Sequence, residues 1–425
     1  MEYPRFGFIR QKFERSNAPD PAKLVRSELI RSELLAPIKK GDRVLITAGS
    51  RGIESMKEVL RTCIAAVRER GGEPFLYPAM GSHGKGTAEG QVEVLRHLGI
   101  TESSMGVPIH GELEMVEIDR ILDSVPVYAD RAAVEADHVL IVNRIKEHTE
   151  YIGDTESGIL KMAVVGLGRR LGAETMHQLA VNITYIKAIH SIAAALFRNL
   201  KVLGGVALLE DHFNCLRRVE AIRPEDVFTR EPQLLEESKI YKPKLPFEDL
   251  DILLVDEIGK EISGAGFDTK VVGRIMNVYE KECETPRITR IVVRDLSEAT
   301  DGNATGIGLA DYTTRRAVEK IDFTATATNC VTAVAPEKGR IPLAFASDKD
   351  AMEAAFNTIG LWTPDRVRVA WISNTKELEL LAVSSALRQS LQPEISAEGQ
   401  LFDLPYDAGG NLPKLQDLLE KGNLL

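Results

Sequence analysis

Eight histidines stand in this 425-residue chain, and three of them, His83, His148 and His177, fall in loops or helix starts among glycines and cations. An imidazole titrates near neutral pH, so a residue placed this way can move a proton or bind a metal. Together with Arg51 and Lys161 the three can supply two acid/base groups, a metal ligand and an anion clamp, which is what chemistry beside a carboxylate requires. None of the histidines pairs as HxxxH. A metal site pre-formed on one helix is therefore excluded, and a bound metal needs further donors, such as those of a metal-bearing cofactor. His97, His110, His138, His190 and His212 read as surface or hydrogen-bonded structural residues.

The elements that must position these groups are legible as a repeated strand, loop and helix. Residues 43–47 are a short apolar run that ends in Ala48-Gly49-Ser50-Arg51-Gly52, after which Met56, Val59, Leu60, Cys63, Ile64 and Val67 recur at helical spacing. Gly71-Gly72 stops that helix, residues 74–77 form a second strand, and Gly81-Ser82-His83-Gly84-Lys85-Gly86-Thr87 leads into a helix with Val92, Leu95 and Leu98. Residues 138–143 give a third buried strand, followed by a polar loop over 144–156 and then by Gly158 to Lys161. Such alternation predicts a mostly parallel sheet, with ligands bound outside the carboxyl ends of its strands. Arg51, His83 and His148 then share one edge.

A chain of this length exceeds what one core usually organises. The expected fold is α/β with two lobes, each a mostly parallel sheet flanked by helices, and an active-site cleft between them. The Glu, Lys and Pro rich stretch over 230–250 marks the boundary, giving a catalytic and cofactor domain over 1–240 and a second α/β domain over 250–425. Strand patterns at 251–256, 288–294 and 367–372, with Gly-rich loops at 262–267 and 300–308, belong to the second.

The formal charge of −10 argues against nucleic acid and anionic lipid as partners. The longest apolar stretches are too short to span a bilayer and the first residues lack a signal-peptide pattern, so a cytoplasmic protein is expected. Cys63, Cys215, Cys283 and Cys330 show no CxxC spacing and read as reduced structural thiols. An apolar run ahead of Gly166-Leu167-Gly168-Arg169-Arg170-Leu171-Gly172, taken as a strand, invites a dinucleotide reading. Its spacing is GxGxxxG with no acidic residue about 20 positions on, so that reading is set aside. The Gly81 loop is likewise not a P-loop, because Gly86 follows Lys85.

Ser50-Arg51, Gly81-Ser82-His83, His148, Ser157-Gly158-Ile159-Leu160-Lys161-Met162-Ala163 and His177, in that order, resemble the motifs of the nickel-pincer lactate racemase family, best over residues 1–240. Ordered motifs are far more specific than any one alone. Within the family the chain looks more like its uncharacterised branch than like the lactate enzymes. The resemblance implies a nickel-pincer nucleotide, a pyridinium mononucleotide with two thio groups, tethered covalently at Lys161, with His177 as nickel ligand and His83 and His148 as the acid/base pair. It implies Arg51 on the substrate carboxylate, and reversible hydride transfer to the cofactor through a 2-keto acid. Cofactor-biosynthesis enzymes are implied partners. Gly81, Ser82, Gly166 and Gly168 can offer backbone N–H groups to the cofactor phosphate, or serve packing alone.

The sequence departs from the family at Ala48, where an aspartate is usual, and at Gly52, where a proline is. The Tyr-Gln-x-x-Lys stretch of the lactate enzymes is also missing, which points to a 2-hydroxy acid other than lactate. Lys260 is the candidate second-lobe cation for the substrate, with Asp268, Lys270 and Arg274 behind it. Two other readings stay open: a metal-dependent hydrolase that uses the same histidines with Glu147, Glu150 or Asp154, and a relative that binds a nucleotide or sugar acid without turning it over.

Overall fold

The computed structural model describes residues 2–16, 20–49, 55–81 and 83–420. Ser50, Arg51, Gly52 and Ser82 lie outside the described residues. The fold is α/β, and the chain divides into two compact units, Glu14–His148 with Ile152–Lys242, and Met1–Phe13 with Thr149–Tyr151 and Pro243–Leu425.

The first of these units is built on a five-stranded sheet. Four of its strands, β3 (Glu73–Pro78), β2 (Arg43–Ala48), β6 (His138–Arg144) and β7 (Val202–Glu210), run parallel in that order, and β8 (Leu216–Ile222) closes the far edge antiparallel. The parallel strands read as unbroken apolar runs because both faces are covered: Val44, Leu45, Ile46, Val139, Leu140 and Ile141 are all buried. Helix α1 (Pro21–Ser32) opens on an Asp20 cap, and α2 (Met56–Glu69) buries the six apolar residues whose spacing marks it in the sequence. Thr87 caps α3 (Ala88–His97) by accepting the Gly90 N–H at 3.1 Å. A hairpin that the sequence pattern does not reveal, β4 (Met115–Ile121) with β5 (Val125–Asp130), follows.

The apolar run before Gly166 is not the strand that its composition suggests. Residues Ile159–Lys161 are helical, Met162–Leu167 widen into a π-helix, and α4 (Arg169–Ile183) continues the chain to α5 (Tyr185–Asn199). With no strand ahead of the glycines, the dinucleotide geometry is absent. The stretch after residue 227 is also not wholly linker, since α6 (Val227–Ile240) forms despite Pro232 inside it.

The other unit carries an eight-stranded sheet. Here β12 (Leu343–Phe345), β11 (Tyr312–Thr314), β10 (Arg287–Leu296), β9 (Asp249–Ile258) and β13 (Val369–Ile372) run parallel; β14 (Leu380–Ser384), β1 (Phe6–Gln11) and β15 (Ile395–Phe402) add an antiparallel flank. An Arg294–Asp348 ion pair at 2.8 Å, both side chains buried, ties β10 to the helix Asp348–Phe356. None of the four cysteines forms a disulfide, and burial pushes the Cys63 thiol up to about 12, which makes it unreactive. Among the described residues no helix is long and apolar enough to cross a membrane.

Candidate active site

Because β2, β3 and β6 are parallel and in register, the loops that leave their carboxyl ends emerge on one edge of the five-stranded sheet. After β6 the chain makes a closed loop, pinned where Lys146 and Ser157 exchange backbone hydrogen bonds at 2.9 and 3.0 Å. The buried Glu156 carboxylate accepts the His148 N–H at 2.5 Å and the Gly153 N–H at 3.2 Å, which fixes the backbone that carries His148. Asn143, at the end of β6, donates to Gly158 O at 2.8 Å. Ile159 then lies flat on β7, since a Cβ at Gly205 would come within 2.6 Å of it. The outcome is that Lys161 Nζ sits 2.5 Å from His148 Nε2. The ammonium donates when the ring carries its own proton on Nδ1.

His177, on α4, is the third member. Its Nδ1 is 2.7 Å from the Tyr185 hydroxyl at the start of α5, the two rings edge to face with centroids 5.5 Å apart. Burial first, and the nearby Lys161 charge second, hold the His177 ring down at about 4, so it is neutral at pH 7. With Nδ1 engaged, a metal bond at His177 has to go through Nε2.

His83 lies in the exposed turn 83–86, where Gly84, Lys85 and Gly86 all take left-handed φ angles. A Cβ at Gly81 would press on Val165 and Ala173 at 2.9 and 3.1 Å, so this loop rests directly on the π-helical segment and α4. Gly166 and Gly168 are equally crowded, by Met162 and Ala79 and by Val164 O and Gly172, and the Gly168 N–H already bonds Val164 O. Close packing gives each of the three glycines a structural reason.

Several residues essential to this geometry carry no motif. Arg169 is fully buried, begins α4 at φ 48°, donates to the Tyr77 hydroxyl at 2.7 Å and to Gln91 Oε1, and pairs with Asp130 at 3.2 Å. Gln91 in turn donates to Met80 O and Gly81 O at 2.8 and 2.9 Å, holding the strand end that leads to His83. Arg169→Ala strands Asp130 and Gln91 in the interior and is expected to cost about 3–5 kcal/mol, read as a lowered urea midpoint. An unshifted midpoint would show that the network carries no stability. The sole sequence signal for Arg169 is its place between two close-packed glycines, and that packing is visible only in the fold.

Lys260 belongs to the other unit, where its Nζ donates to Gly264 O at 2.6 Å and its N–H to Thr300. Asp268 caps the turn Thr269–Val272, Lys270 donates to Tyr151 O, and Arg274 ties Leu309 O, Ile288 O and Asp311 together. Of the carboxylates open to a hydrolase, Glu147 pairs with Lys242 at 3.1 Å and Glu150 with the buried Lys338 at 2.5 Å, while Asp154 is exposed. Among the described residues, no group of three or more His, Cys, Asp and Glu side chains is arranged to hold a metal.

No family model and no curated protein matches the chain. Among solved structures it is similar to the lactate racemase apoprotein from Thermoanaerobacterium thermosaccharolyticum, at 12% identity and a TM-score of 0.46, over 87% of this chain and 84% of that one.

Proposed function

We propose that the chain is a racemase or epimerase of a 2-hydroxy acid other than lactate, working with a nickel-pincer nucleotide attached at Lys161. The observation that carries this reading is the meeting of the Lys161 amine with His148 at 2.5 Å, beside a His177 that burial and Lys161 keep neutral. This donor set fits a group that brings its own sulfur and carbon donors and asks the protein for one amine and one imidazole. Of the three carboxylates a hydrolase could use, Glu147 and Glu150 are committed to lysines, which leaves it the exposed Asp154 alone.

When bound, that group would accept and return a hydride at the carbon bearing the hydroxyl. The chain's own residues would do the rest. His83 and His148 would each take the hydroxyl proton as hydride leaves the carbon, and return it to the keto oxygen as hydride comes back to one or the other face of the planar 2-keto acid, one histidine for each hand of the substrate. Arg51, which follows β2, would hold the carboxylate. Tyr185 would fix the His177 ring; Tyr185→Phe is expected to weaken nickel retention about tenfold in competition with a chelator, and unchanged retention would remove that role. The reading itself is tested by intact mass and metal content of the protein co-produced with cofactor-building enzymes. A nucleotide-sized adduct on Lys161 with nickel supports it; an unmodified chain beside a loaded control enzyme ends it.

A further inference from the structure

The turn that carries Lys161 begins at Gly158, which has no side chain to cap it. Its first N–H groups therefore need another acceptor. One comes from α6: Glu231 Oε2 accepts the Leu160 N–H at 3.0 Å, with a further pull from the Ile159 N–H. A carboxylate at this end of a helical segment also meets the favourable end of its dipole. Glu231 is only 1% exposed, and its second oxygen, Oε1, is buried with no hydrogen-bond partner among the described residues. That oxygen faces Gly158, where a Cβ would come within 2.3 Å of it. A side chain at 158 would displace Glu231 from the turn and also press on Ile145, so a glycine here keeps the approach of Glu231 open. The neighbouring charges on α6 turn elsewhere, Arg230 to Glu220 and Glu237 to Arg218, leaving Glu231 to the turn.

We infer that Glu231 is the positioning residue of the Lys161 amine: by holding the Leu160 amide it fixes the turn that aims Lys161 at His148, and with it the point where the cofactor attaches. The last clause alone rests on the proposed racemase reading. Burial pushes the Glu231 carboxyl up to about 7 from an ordinary 4.5. Between those values the folded chain keeps a proton that the unfolded chain has released, so Glu231 takes stability away as pH rises through that window. Such a penalty is retained at a place where the carboxylate has a task.

The test uses the full chain without cofactor. Amide hydrogen exchange is read as protection factors on the peptide covering 157–163, alongside the rate at which Lys161 is labelled by an amine-reactive ester. Glu231→Leu, which removes the acceptor, is expected to lose about tenfold protection there and to change the Lys161 labelling rate severalfold. Glu231→Gln, which keeps a neutral acceptor of the same shape, should stay better protected than Glu231→Leu and match the wild type at about pH 6. In the wild type, opening of the turn with Glu231 still buried should become easier, and protection fall, as pH goes from about 8 to about 6 and the acceptor loses its charge; in Glu231→Gln it should stay flat. Filling space alone gives no such step. Unchanged protection and labelling in a folded Glu231→Leu protein overturns the inference. Should that variant not fold, a full pH step persisting in Glu231→Gln does the same. If the wild type takes no adduct while the amide results hold, the racemase reading falls and the anchoring of Lys161 stands. An adduct on the wild type, with exchange unmoved in both variants, keeps the racemase reading and removes the anchoring.

Discussion

Lys161→Ala, co-produced with the cofactor-building enzymes, should show the mass of the bare chain where the wild type carries a nucleotide-sized increment. The effect is all or none because the segment from Gly158 to Leu167 contains no second amine, and Lys161 is the one set 2.5 Å from His148. Lys161→Arg separates attachment from electrostatics. It keeps a positive charge beside His177, one of the two causes that hold that ring neutral, yet a guanidinium offers no amine for the link. Both variants should be unmodified, and an adduct of the same mass on either would sink the attachment at Lys161. Nickel should fall with the adduct, since the described side chains form no cage for it.

The second large effect belongs to the two histidines that follow β3 and β6. His83→Ala and His148→Ala should each keep adduct and nickel while losing racemisation about 10²–10⁴-fold, tested against a panel of 2-hydroxy acids. His148 has a second task, as the partner of Lys161, so His148→Gln is the cleaner variant: its amide oxygen can still accept from the amine but cannot relay a proton. Full activity in either His83→Ala or His148→Gln refutes a scheme with one base on each side.

Much of this is visible in the residues. Strands β2, β3 and β6 stand out because a parallel strand covered on both faces is a short unbroken apolar run, and α2 because its buried residues keep helical spacing. The run from Ile159 to Leu167 misleads for the same reason: it is apolar without period, and only its packing against Gly205, Ala79 and Gly81 makes it helical. Of the proposed site, His83, His148, Lys161 and His177 sit in ordered motifs and are the residues those motifs suggest. Tyr185, Arg169, Gln91 and Glu231 cannot, because each acts on a residue brought near only by the fold. Glu231 is hidden best, in a charged, proline-bearing stretch that reads as linker until α6 is seen to lay it against Gly158.

The N-terminal strand β1 sits between β14 and β15, in the sheet that is otherwise made of residues after 242. In topological terms, the unit that bears Lys161 and both imidazoles near it is a guest, spliced into a host whose first strand is synthesised before the guest and whose remainder, Thr149–Tyr151 apart, comes after it. Severing the chain near residue 242 therefore yields no pair of self-sufficient halves. The later half, made alone, would open a gap one strand wide and bare two facing edges, on Leu380–Ser384 and Ile395–Phe402, that invite pairing with other chains. Excising the guest and rejoining its flanks is the division that the strand order permits.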